Sequence, residues 1–140
     1  MINEEEEEEK IEILINIRYG GWGISEKAIE LYKLRNLNYI TEEFDDHFFH
    51  RNDPILVQIY KELGNDFDDK YCKTKIIKIL KKYEYYYVIN EYDGKEWITI
   101  DYAKYKLDTM YKKIKEILQN NNDNNTKINE IEQFISIFEC

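Results

Sequence analysis

Residues Ile11 to Ile17 alternate strictly, with Ile11, Ile13, Ile15 and Ile17 on one side and Glu12, Leu14 and Asn16 on the other. The run ends at Tyr19-Gly-Gly-Trp-Gly23 and continues directly into Ile24-Ser-Glu-Lys-Ala28. A period of two over β-branched residues predicts a strand with one buried face. The glycines permit a tight reversal with positive φ. Ser25 is placed to cap the following helix, and Glu26 suits the positive end of its dipole. A strand turned sharply into a helix is therefore the feature that the other elements must accommodate. The helix presents Ala28, Leu31 and Tyr32 and fades near Asn36.

Further along, the segment from Leu37 to Asn52 has no consistent period and reads as loop. Asp53-Pro54 predicts a helix start, since Asp caps and Pro tolerates the first helical position, where an N–H would be unpaired anyway. Leu56, Ile59, Tyr60 and Leu63 recur at helical spacing up to Gly64, a C-terminal stop. Asn65–Lys70 reads as an acidic loop and Lys75–Leu80 as a second strand. Tyr83–Tyr92 reads as a third strand, closed by Asp93-Gly94, a strong short hairpin signal, with Glu96–Ile100 returning. Asp101 then caps a helix whose Ala103, Leu107, Met110, Tyr111, Ile114, Ile117 and Leu118 form one apolar stripe. Asn120–Asn125 breaks it, and Thr126 is expected to cap a last helix carrying Ile128, Ile131, Ile135 and Phe138.

The expected fold class is α+β. A small, mostly antiparallel β-sheet is covered by helices, and a C-terminal α-helical hairpin packs on the core or on a second copy. The organisation expected is an acidic, frayed tail over 1–9, an α+β core over 10–100 and the hairpin over 101–140.

Charge and composition narrow the function. The net charge of -9 is mostly local, because Glu4 to Glu9 are all acidic and the remainder carries 23 acids against 20 bases. Such a block stays solvated. The two cysteines, Cys72 and Cys140, offer no disulfide framework, and Met1 does not lead into a secretory signal. No apolar run approaches the ~18 residues of a membrane span. An intracellular chain is expected, in a host cytoplasm or a virion, without a membrane partner.

Three stretches carry a resemblance: Tyr19-Gly-Gly-Trp-Gly-Ile-Ser-Glu-Lys-Ala-Ile29; Arg51-Asn-Asp-Pro54 with its helix ending Glu62-Leu-Gly64; and Glu91-Tyr-Asp-Gly-Lys-Glu-Trp97. In that order, over about Ile11 to Ile100, they resemble a family of short proteins of giant DNA viruses, phages and some bacteria. The wealth of Asn, Lys, Ile and Tyr likewise resembles a giant virus with an AT-rich genome. The resemblance implies a viral origin but brings no established activity and no catalytic residue.

Candidate chemistry is sparse. Gly20, Gly21, Gly23 and Ser25 at a helix start could hold an anion or small ligand. Yet Glu26 stands where a dinucleotide fingerprint needs glycine, and the Lys-Ser/Thr of a phosphate loop is missing. His47 and His50 with Asp45, Asp46 and Asp53 fall short of a metal set for want of a third histidine. Asp66, Asp68 and Asp69 lack the glycine and terminal glutamate of a calcium loop. No metal or cofactor is expected, and neither cysteine has a neighbouring base in sequence.

The expectation is a non-enzymatic protein-interaction module acting on a host or viral protein, as a homodimer, through the aromatic anchors Trp22, Phe48, Phe49 and Trp97. Two alternatives stand beside it. One is a small ligand- or nucleotide-binding protein or enzyme using the Gly20–Gly23 turn. The other is nucleic-acid binding through the lysine-rich Lys70–Lys82 stretch, disfavoured by the acidic composition.

Overall fold

The computed structural model describes residues 8–36 and 50–138. It is an α+β structure that divides into two compact units, Met1–Ile100 and Asp101–Cys140.

The first unit begins with β1 (Lys10–Asn16), which passes through the glycine turn into α1 (Glu26–Arg35). Ser25 caps α1 as its spacing predicts: its Oγ accepts from Ala28 N–H at 3.2 Å and donates to the Asp66 carbonyl at 2.6 Å. Next comes α2 (Pro54–Leu63), capped by Asp53, whose Oδ1 accepts from Ile55 N–H at 2.9 Å. Then follow β2 (Thr74–Leu80), β3 (Tyr87–Tyr92) and β4 (Lys95–Ile100).

The strands form two two-stranded sheets where the sequence suggests one. β1 pairs antiparallel with β2, Ile13 opposite Ile77, and β3 pairs antiparallel with β4, Ile89 opposite Ile98. The β1–β2 pair is the middle layer. Leu14 joins Ile24, Ala28, Tyr32, Leu56, Ile59 and Phe67 in a core under the two helices. Ile13, Ile15 and Ile79 form a second core against Ile89, Ile98 and Ile100 of the β3–β4 hairpin. So β1 is buried on both faces from Ile13 to Asn16, not on one. The polar Asn16 conceals this in the sequence, although its residue is wholly inaccessible.

Other expectations are corrected in detail. The supposed acidic loop after α2 contains a 3-10 turn, Gly64–Phe67, whose Phe67 is fully buried. Its acids bond locally: Asp68 accepts from Thr74 N–H, and Asp69 from Tyr71 and Cys72 N–H. The strand expected from Tyr83 starts only at Tyr87, because Lys81–Tyr83 wind into a second 3-10 turn. Glu9, placed in the tail, is tied down by its carbonyl, which accepts from Lys81 N–H at 2.9 Å.

The second unit is a helical hairpin of α3 (Tyr102–Gln119) and α4 (Asn124–Phe138). Asp101 caps α3, its Oδ1 accepting from Lys104 N–H. At the start of α4, Asp123 and not Thr126 is the cap, with Thr126 N–H donating to Asp123 Oδ1 at 2.7 Å. Both residues are good caps; a carboxylate is the stronger acceptor for free helix N–H groups. Along the predicted α3 stripe Ile117 is buried, whereas Leu107, Tyr111 and Leu118 are exposed. No helix among the described residues is long and apolar enough to cross a membrane.

Candidate functional site

The polar centre of the first unit grows from Asn16. Its amide Nδ2 donates to the carbonyls of Arg18 and Gly94, each at 2.7 Å. Its Oδ1 accepts from Arg18 N–H at 3.1 Å and Lys73 N–H at 2.9 Å. One buried side chain thus ties together the end of β1, the approach to β2 and the hairpin tip. A buried amide with every site filled fixes geometry; a half-filled one would be costly.

Asn16 also donates its backbone N–H to Glu96 Oε1 at 2.7 Å. Glu96 in turn takes a two-pronged ion pair from Arg51, Nη1 to Oε1 at 2.7 Å and Nη2 to Oε2 at 3.0 Å. Both side chains are largely removed from solvent. The Arg51 guanidinium lies 3.8 Å from the ring centre of Trp22, a cation–π contact made stronger by desolvation. Trp22 is packed beside Phe67 at 6.2 Å, and its indole N–H finds no partner among the described residues. Arg51 further secures the edge of β1: its carbonyl accepts from Leu14 N–H, and its Nη1 donates to the Leu14 carbonyl.

The three stretches singled out in the sequence therefore meet at this centre. Trp22 comes from the glycine turn, Arg51 from the start of α2 and Glu96 from the hairpin. Burial pushes the Tyr87 phenol up, and the positive charge of Arg51 partly offsets it.

The glycine turn faces inward to the same hairpin. Gly20 and Gly21 have φ of 121° and 102°. Gly20 N–H donates to the Asp93 carbonyl at 3.0 Å. A Cβ on Gly94 would lie 2.1 Å from Gly21 N, so the two backbones touch. Asp93 and Gly94 have φ of 48° and 86°, the positive pair of a type I′ turn. A Cβ on Gly23 would strike the Asp69 carboxylate at 1.8 Å. Gly20 is bonded to the hairpin, Ser25 Oγ is engaged at both donor and acceptor, and the Asp69 carboxylate against Gly23 places a negative charge beside the turn.

Of the aromatic anchors, Trp22 lies in this polar centre and Trp97 on the outer face of β4, 47% exposed. Phe48, Phe49 and His47 lie outside the described residues. Cys72 is buried, and burial pushes its thiol up to about 11, so it is protonated and unreactive at neutral pH. Among the described residues no group of three or more His, Cys, Asp or Glu side chains could hold a metal ion. The lysines from Lys70 to Lys82 are exposed, Lys70 lying over the Tyr71 ring and Lys82 over Tyr83.

Sequence reading missed Asn16, Arg51 and Glu96 as partners. Arg51 and Glu96 were visible only as members of the quoted stretches, and nothing local marks residues so far apart as a pair.

Comparison with known proteins found no matching family model, no matching curated protein and no matching solved structure.

Proposed function

We propose that the chain is a protein-binding module and that its working surface is the outer face of the β3–β4 hairpin. The observation that carries the reading is a row of exposed side chains on a firmly anchored support. Trp97 stands opposite Asn90, so its diagonal neighbours on β3 are Val88 and Tyr92. Val88 is 50% exposed and Tyr92 67%. Tyr19 flanks them, its ring 5.6 Å from the Lys95 amine. The inner face of the hairpin is held by Ile89, Ile98 and Glu96, and its tip by Asn16. A fixed platform loses little entropy on binding, and Trp and Tyr are the residues that most often dominate interfaces. The resemblance to viral proteins makes a host or viral protein the expected partner.

The test places a photo-crosslinking phenylalanine analogue at Trp97 and, as control, at the exposed Glu30 of α1. In extract of cells producing the chain, position 97 is expected to give a discrete adduct that excess unlabelled wild-type chain removes and Trp97→Ala chain does not. Equal labelling at both positions, or equal competition by Trp97→Ala, would contradict the reading.

A further inference from the structure

We propose that the C-terminal hairpin is a self-association element, in which α3 of one copy lies on α4 of a second copy to form an antiparallel four-helix bundle. The proposal uses a surface separate from the hairpin of β-strands and does not depend on it.

The helix spacing sets up the problem. On α3 the apolar stripe is too wide for one neighbour, since residues advance by about 100° each. Met110, Ile114 and Ile117 occupy one flank and are half-buried or buried. Leu107, Tyr111 and Leu118, four and then seven residues apart, occupy the other flank and are all more than half exposed. Ile128 of α4 is also more than half exposed. Two helices can each cover one side of the other, and a paired hairpin supplies the missing cover.

Charge selects the occupant. α3 carries five lysines against two acids, and α4 one lysine against two glutamates. Lys104 and Lys115 are exposed on α3, and Glu132 is exposed on α4. The other glutamate, Glu130, is already held by Asn120 and Asn122 of the connecting loop. Stacking α3 on α3 would set lysine against lysine; stacking α3 on α4 sets Lys115 against Glu132, with Lys104 about 16 Å further along the same edge of α3. A two-fold axis makes that favourable contact twice.

Light scattering on the full chain tests it. The wild type is expected at twice the 17.2 kDa of one chain, and Leu107→Glu with Leu118→Glu at one chain with unchanged helical circular dichroism. Lys115→Glu is expected to weaken the dimer at least tenfold, and adding Glu132→Lys to restore it. Should the glutamate variant unfold, mild oxidation of mixed Lys115→Cys and Glu132→Cys chains provides a second reading, with mixed covalent dimers expected to exceed those of either chain alone. A single-chain mass at tens of micromolar, a dimer indifferent to the glutamates, or no rescue by the charge swap overturns the proposal.

Discussion

Arg51 and Glu96 are 45 residues apart in sequence and joined by two hydrogen bonds in a nearly dry site. Removing one member leaves the other charged and unpaired, which typically costs about 3–5 kcal/mol. Arg51→Ala and Glu96→Ala are each expected to lower the urea midpoint accordingly, while breaking the solvent-screened pair Arg35–Glu62 should leave the midpoint nearly unchanged. Equal losses at the two pairs would deny the centre its special role. Cys72 gives a pH signature. Its folded-state thiol keeps its proton above the ordinary thiol range, whereas the unfolded chain releases it there. Stability is therefore expected to fall as pH rises from about 9 towards 11, with the partly buried phenols of Tyr60 and Tyr87, both raised from 10.0, adding to the fall above that value. Cys72→Ala should flatten the first part of that decline in denaturation midpoints taken across this range. A slope unchanged by the substitution would assign it to other groups.

Elements were legible where their signals are local. Ser25, Asp53 and Asp101 cap their helices because a short side-chain oxygen needs only the next few N–H groups. Asp93-Gly94 turns because both positions need positive φ. The errors have equally physical origins. Tyr83 to Tyr86 alternate like a strand, yet Glu84 and Tyr86 N–H groups bond back to Lys81 and Tyr83 carbonyls, so the local turn won over the pattern. Phe67 sits among acids whose carboxylates bond neighbouring N–H groups, which made a core anchor look like loop. The sequence marks the glycine turn as a geometric device but carries no sign of what the turn receives. Gly94 tests that fit: Gly94→Ala meets backbone at Gly21, while Gly64→Ala, at φ 55°, meets nothing within 4 Å. Both sit at positive φ and incur backbone strain on the order of 1–3 kcal/mol, and Gly94→Ala should lose about 1–3 kcal/mol more from overpacking. Equal thermal shifts for the two would mean that the hairpin tip is not seated on the turn.

At the level of the whole molecule, α+β character and the C-terminal hairpin were readable from periodicity, whereas the division of strands into two sheets was not. Periodicity says which residues face a core but not which core. Ile13 and Leu14 lie in adjacent positions and serve different ones. The convergence of three distant stretches left no local trace either, since the bonds that join one stretch to another link residues far apart in sequence. That convergence is the centre of the account: turn, α2 start and hairpin act as one fixed body that carries the displayed face. Hydrogen-exchange mass spectrometry on wild type and Glu96→Gln measures it most directly, because segments that open together exchange together. The account predicts faster exchange in Gly20–Gly23, in residues 50–53 and in Glu91–Trp97 alike, with α3 and α4 unchanged. Acceleration confined to β4 around the substituted residue would contradict it.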